Sequence, residues 1–545
     1  MIPPAHRRAA RLALILAAAL ACAPAGRAWA QAAGGAESAA PEAERARSSE
    51  APARKPSSPT TPPHPLPAAS LTRHLLEIPE AAERPAGAQL APRSLRFSAK
   101  AGAVRLSDAQ SGAPQADVAY VYFALENPPP GPRPIVFALN GGPGAASGWL
   151  NIGAMGPWLL DLGAPPYAPS RRAPLVPNPH TWLDFADLVF VDPPLTGYSR
   201  LLGKGDGDGA GEARRSFLSV EGDVSALAVV IRKFLSAEGR LQSPVFLVGE
   251  SYGGFRAPKI ARALQDREGI GVAGLVLISP VLDFGWFDAQ NSPLPAATQL
   301  PSIAAAARGL KPSDAAALGE VEAYAGGAYL ADLLRAERDP DARRRAVENV
   351  ARLTTLDAAL VERAGGRLDP SSLARELKRA EGRFSSRYDL AVSGFTPAPH
   401  EERGESADPV LDATKSAFAL GMAELTAGPL GWPIDARYEI LNERVNGDWS
   451  WGSGRRCPQA VDDLKQALAL DPALRVLIVH GLTDLVTPYF ASKLLIGQLP
   501  PYGDPSRVAL KLYEGGHMPW LAPSSRAALR EDARALIEAQ GAPGR

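Results

Sequence analysis

The sequence predicts an α/β fold: a central, mostly parallel sheet with helices on both faces and one inserted helical lid. Three observations predict it. Six apolar runs lack polar alternation: "PIVFAL" (134–139), "DLVFVD" (187–192), "PVFLVG" (244–249), "GLVLIS" (274–279), "RVLIVHG" (475–481) and "VALKLY" (508–513). Such runs suit central strands covered on both sides. Between the second and third, Val224, Leu227, Ile231, Phe234 and Leu235 recur on one helical face, and strands alternating with helices make an α/β sheet. From about Asn291 to about Tyr438 the chain is mainly Ala, Leu, Arg, Glu and Asp with no apolar strand run. A helical block inserted there sits over one end of the sheet.

Taken in order, the chain opens with a secretory signal over 1–30. Arg7, Arg8 and Arg11 precede an apolar run from Leu12 to Ala23, and Ala28-Trp29-Ala30 supplies a small-x-small cleavage site. The run is too short to span a membrane as a helix, and no later segment is long and apolar enough. The protein is therefore expected to be exported, periplasmic or secreted, with a lipid anchor on Cys22 as the lesser alternative. Cleavage after Ala30 removes Cys22 and leaves Cys457, so the mature chain forms no internal disulfide and relies on its core. Residues 31–70 are rich in Ala, Pro, Ser, Glu and Arg, and read as a disordered leader.

The first part of the core is expected over 71–290, the helical lid over 291–438 and the second part of the core over 439–545. "SLRFSAKAGAVRL" and "ADVAYVYFAL" alternate apolar and polar residues on either side of "SDAQSGAPQ", which predicts an antiparallel pair at a sheet edge. In the lid, "DPDARRRAVENVARL" and "SSLARELKRAEGRF" read as amphipathic helices. "GKGDGDGAGEA" (203–213) lacks the ending of a phosphate loop and the terminal Glu of a calcium loop, and reads as a surface loop.

Charge excludes some functions. Lys and Arg total 58, as do Asp and Glu, so no basic surface for nucleic acid is indicated. The sequence carries no metal cluster and no cofactor motif, and leaves the oligomeric state open.

The chemistry centres on "FLVGESYGGF" (246–255). Gly249-Glu250-Ser251-Tyr252-Gly253 places a serine on a sharp strand-to-helix turn, where small neighbours let the hydroxyl stand clear of the sheet. A nucleophilic serine needs a base, and the base an orienting acid. Of the seven histidines, His6, His64 and His74 lie in the signal or near the leader, His180 precedes the serine, His400 lies in the lid and His480 precedes the acid. His517, in "YEGGHMPW", alone follows both the serine and a strand-end acid. That acid is Asp484, in "VHGLTDLVTP". The order Ser251, Asp484, His517 is the order this kind of sheet uses, with each residue at the carboxyl end of a strand. The glycines of "LNGGPGAASGWL" (139–150) expose backbone N–H groups, and those of Gly142 and Tyr252 are the candidate oxyanion donors.

The blocks "LNGGPGAASG", "NPHTWLDFADLVFVDPPLTGYS", "VGESYGGFRAP", "HGLTDLVTP" and "GGHMP" resemble, in order, those of the serine carboxypeptidase family, from about Leu95 to the C-terminus except for the lid. The resemblance implies an α/β-hydrolase fold and removal of C-terminal residues from peptides through an acyl-enzyme, with Ser251, Asp484 and His517 as the triad. It implies that Asn140, Gly141 and Glu250 bind the substrate's terminal carboxylate, so the implied partners are peptides with a free C-terminus. The chain departs from the family pattern at three places. Ala138 stands where a tryptophan is usual, "PGAAS" replaces "PGCSS" and removes its disulfide cysteine, and "MPW" after His517 is one residue tighter than the usual "MVP". An esterase or acyltransferase with the same triad, and an inactive binding protein, are the alternative readings.

Overall fold

The computed structural model describes residues 65–82, 90–202, 208–287, 291–400, 407–452 and 456–541. The signal segment and nearly all of the leader expected from the sequence lie outside the described residues. Leu66 is the first buried side chain, and its N–H donates to Asp117.

Nine strands in path order form the central sheet. They are β1 (Ser70–Ile78), β2 (Arg93–Ser107), β3 (Pro114–Leu125), β4 (Ile135–Leu139), β5 (Asp187–Val191), β6 (Val245–Glu250), β7 (Gly274–Ile278), β8 (Arg475–Gly481) and β9 (Val508–Tyr513). Their spatial order is β1-β2-β3-β5-β4-β6-β7-β8-β9, with a two-residue strand (Arg200–Leu201) beside β3. From β5 onward every pairing is parallel, while β1, β2 and β3 are antiparallel. All six unalternated runs are strands of the parallel part. Their burial explains the pattern: in β4, Val136 and Ala138 face one core cluster while Ile135, Phe137 and Leu139 face the other.

The alternating pair β2–β3 forms, but it is not the edge. β1 pairs along the outer side of β2, with Leu71 and Leu75 exposed on it. Helices cover both faces. The helix α1 (Val220–Ala237) starts at Ser219, whose side chain accepts the Gly222 N–H, a capping bond that satisfies a donor with no partner inside the helix. With α2 (Tyr252–Ala263) it packs on one face, and α3 (Pro523–Gly541) contributes Leu529, Ala533 and Ile537 to the other.

Between β7 and β8 the chain is mostly helical. Its longest helices are Leu294–Arg308, Pro340–Thr354 and Leu411–Ala427, and Arg383–Ser385 and Ser393–Phe395 form a small hairpin. Two readings need adjustment. The helix expected over 371–384 is a helix only over Pro370–Glu376, because the chain turns through Gly382, in the left-handed region at φ 65°, into that hairpin. The Gly/Asp-rich stretch expected as a loop enters a helix at Asp208, which runs to Phe217 and places Arg214 and Arg215 at its C-terminal end, where cations are favoured by the helix dipole.

Candidate active site

The parallel register brings the carboxyl ends of the strands together. Leu139 pairs with Gly249, Ile278 with Glu250, Ile278 with Val479 and Gly481 with Tyr513. The ends of β4, β6, β8 and β9 and the loops that leave them carry the candidate residues.

Ser251 sits between β6 and α2 at φ 60° and ψ −121°. A non-glycine residue there is strained, and such strain is held where a side chain must be aimed. The turn is held by the Ser251 N–H donating to the Ile278 carbonyl at 2.9 Å. Tyr252 opens the helix, so its N–H has no partner within the helix. Against this turn lies the loop after β4. A Cβ on Gly141 would sit 2.6 Å from the Tyr252 nitrogen and 2.9 Å from the Ser251 Cβ, so only glycine allows this approach. Gly142 follows at φ +96°, a conformation open to glycine. The two candidate oxyanion donors are thus carried on adjoining loops.

His517 and Asp484 meet. Nδ1 of His517 lies 2.9 Å from Oδ2 of Asp484, and both side chains are buried, at 3% and 0% exposure. With Nδ1–H directed at the carboxylate, the neutral ring presents Nε2 as the base. The other Asp484 oxygen accepts the N–H groups of Val486 (2.7 Å) and Thr487 (3.0 Å). The Thr487 hydroxyl lies 2.8 Å from Oδ2 and 2.8 Å from the Ser279 carbonyl. Burial alone would raise the Asp484 pKa, but the facing His517 charge and these donors hold it below the usual carboxylate range. Burial alone would lower His517, yet the Asp484 charge and hydrogen bond hold it above the ordinary imidazole value.

Glu250 points into the same site from the end of β6 and is 3% exposed. Its Oε2 accepts from Asn140 Nδ2 at 3.0 Å and from Trp520 Nε1 at 3.1 Å. Asn140 is itself fixed, since its Oδ1 accepts the Leu150 N–H. Burial pushes the Glu250 carboxyl up to about 7, against the lowering effect of the His517 charge and the two donors. A carboxyl of this kind carries a proton on the acidic side of neutrality and can donate it.

Three participants escape a sequence reading. Trp520 reaches Glu250 from a part of the chain far removed in sequence, and the tightened "MPW" was its one sign. Thr487 is visible in retrospect as a hydroxyl three residues after the acid. Tyr388, from the helical insertion, accepts the His517 backbone N–H at 2.5 Å, and its ring meets the imidazole edge-on at 5.2 Å. Among the described residues no three His, Cys, Asp or Glu side chains are grouped to hold a metal ion, and no helix is long and apolar enough to cross a membrane.

Residues 92–285 match the family model described as Serine carboxypeptidase. Serine carboxypeptidase-like 51 of Arabidopsis thaliana is 33% identical over 175 residues, which is 31% of this chain and 33% of that protein. Pheromone-processing carboxypeptidase KEX1 of Metarhizium robertsii is 34% identical over 134 residues, covering 24% of this chain and 19% of that protein. The chain thus matches a third or less of the length of these relatives. Among solved structures, the prohormone-processing carboxypeptidase Kex1(delta)p of Saccharomyces cerevisiae superposes with a TM-score of 0.49 at 14% identity, over 81% of this chain and 92% of that one.

Proposed function

We propose, from the match of residues 92–285 to the serine carboxypeptidase family, that the protein is a serine-type carboxypeptidase releasing C-terminal residues from peptides. The observation that carries this reading is Glu250. A buried carboxyl with a pKa pushed up to about 7, beside a serine on a strained turn, suits a site that must receive another carboxylate. Two carboxyl groups in contact cannot both be ionised, so one proton is shared between them.

In this mechanism Nε2 of His517 takes the proton of Ser251, whose Oγ attacks the last peptide carbonyl. The N–H groups of Gly142 and Tyr252 hold the oxyanion, each contributing about 3 kcal/mol. His517 then gives its proton to the leaving amine, and the released residue departs with its carboxylate. Water, deprotonated in turn by His517, cleaves the acyl-enzyme and restores Ser251. Asp484 keeps the imidazole in the productive tautomer and stabilises its cation. Asn140, Gly141 and Glu250 form the cradle for the terminal carboxylate. Residues 291–438 act as the lid, with Tyr388 as its contact to His517. We further propose that the protein is exported through its N-terminal signal to the periplasm or exterior.

The test is mass spectrometry of a mixed peptide pool incubated with the mature protein. Stepwise loss of single C-terminal residues supports the reading, and an unchanged pool or internal cuts overturn it. Ala138, small where the family usually has a tryptophan, favours a second reading as an esterase or acyltransferase. Glu250→Ala separates the two: a selective loss on substrates with a free carboxylate supports the exopeptidase. Failure of a fluorophosphonate to label Ser251 would overturn both in favour of an inactive binding protein.

A further inference from the structure

A cavity of about 340 Å³ adjoins the site on the side of Trp520. Its wall includes Gly515, Gly516 and Met518, which flank His517, and Tyr388, which holds the His517 backbone. Gly153 and Phe418 also line it, and both pack on the ring of Trp520, the residue that donates to Glu250. The cavity therefore reaches the residues on either side of His517, and it meets Glu250 only through Trp520. Its size falls within the range of small-ligand pockets.

The lining is mainly apolar, with Leu160, Val392 and Leu521, but it contains Arg526. Nη1 of Arg526 donates to the Trp520 carbonyl at 3.0 Å, while its Nε is buried with no hydrogen-bond partner. Among the described residues no carboxylate forms an ion pair with it. Two carboxyls share the wall. Asp389 accepts from Thr483 and from the Ala391 N–H, and burial raises its pKa. Asp161 is exposed and accepts the Gly163 N–H. Burial lowers the Arg526 pKa to about 10, and the charge of exposed Asp161, which raises it, offsets that only in part, so the guanidinium remains costly to bury. An anion delivered by a ligand would relieve that cost. Trp520 links the two ends, since its indole N–H meets Glu250 and its carbonyl meets Arg526.

We infer that the cavity receives the side chain of the released residue and that Arg526 selects an acidic one. This rests on the carboxypeptidase reading above. The alkyl part of a glutamate would lie on the apolar wall and its carboxylate on the guanidinium, while its α-carboxylate stays with Glu250. A charge-assisted bond of this kind is roughly twice as strong as a neutral one.

The experiment compares blocked peptides that differ only in a C-terminal Glu, Gln, Leu or Lys, at about pH 6, where a glutamate side chain is ionised. The expected kcat/KM for Glu exceeds that for Gln by about tenfold or more, and Lys is released most slowly. Arg526→Gln brings the Glu-to-Gln ratio near one. Arg526→Lys, which keeps the charge, holds the ratio above one, and its thermal melting shows that the fold survives. A wild-type ratio near one, or a ratio that Arg526→Gln leaves unchanged, overturns the inference while release of Leu still upholds the carboxypeptidase. Release of no C-terminal residue from any peptide overturns both.

Discussion

Asp484 and Glu250 are two carboxyls buried in one site beside the same histidine, and they are driven in opposite directions. Asp484 is held below the usual carboxylate range, whereas Glu250 is pushed up to about 7. Burial acts on both alike, so it does not make the difference. The donors do. Asp484 accepts three N–H groups, from Val486, Thr487 and His517, spread over both oxygens. Glu250 accepts two, from Asn140 and Trp520, both on Oε2. One carboxyl is solvated by the protein and stays an anion. The other is left half-solvated and keeps its proton until neutral pH. A site that separates two carboxyls in this way has assigned them different tasks.

The harshest way to break the contrast is Asp484→Asn. It should cost about 10⁴ in kcat, because the imidazole turns to the wrong tautomer. The loss should be equal for peptides and for esters without a carboxylate, measured by steady-state kinetics at several pH values. Equal activity of the variant would remove Asp484 from the triad.

Glu250→Gln should act only where a substrate carboxylate is present. In the wild type, kcat/KM for peptides should fall as pH rises through about 7, as Glu250 loses its proton and repels the substrate. The variant should lack that fall and should exceed the wild type by about a hundredfold at about pH 9, a decade for each unit past the pKa. Ester substrates should show neither effect. A flat wild-type profile for peptides would sink the shared-proton account.

The same substitution has a sign in stability. Glu250 has a folded pKa raised from 4.5 to about 7, so the unfolded chain gives up this proton first. Stability is therefore fully present below about pH 4.5 and is lost as pH rises to about 7. Glu250→Gln removes that loss, and above pH 7 or so it should stabilise the protein by at most about 3 kcal/mol. Asp484→Asn should destabilise at the same pH. Thermal melts of both variants across pH check the pair.

The gentlest change is Trp520→Phe, which deletes one donor to Glu250 and keeps the ring. The indole hydrogen bond lowers the Glu250 pKa, so its loss should move the alkaline limb to higher pH. The loss in kcat/KM for peptides should be several-fold, in keeping with a bond worth about 1 kcal/mol. A limb that moves to lower pH would show that Trp520 acts on Glu250 in some other way.

The triad candidates were legible because their signals are local. Ser251 stands in a turn motif after an apolar run, and Asp484 and His517 follow strands recognisable by composition. Five of the six parallel strands were legible for the same reason, as double-sided burial leaves no alternation to obscure them; β9, at the sheet edge, is half-buried with Lys511 exposed and shows only as an apolar run. Trp520 was not, because a hydrogen bond between residues 270 positions apart cannot be read from either segment, and the tightened "MPW" does not say what the indole meets. β1 was missed because "SLTRHLLEI" borders the Pro-rich leader and is an edge strand with two exposed leucines. The irregular segment 386–391, which brings Tyr388 to His517, lies in a block whose composition signals helix alone.

In the sheet, Ile278 is hydrogen-bonded beside Val479, about 200 positions later. The entropic cost of closing such a loop grows only with the logarithm of its length, about 0.6 kcal/mol per doubling. Evolution can therefore lengthen or rewrite the intervening block at little thermodynamic cost, and the family match ends at residue 285, close to where that block begins. Closing it does take time, since distant pairings form late in folding. Ser251 lies before the block, while Asp484 and His517 both lie after it. During synthesis and before the chain is complete, the nucleophile is present with neither its base nor its acid. On the proposed mechanism, a site divided in this way stays incomplete until the last strands are in place.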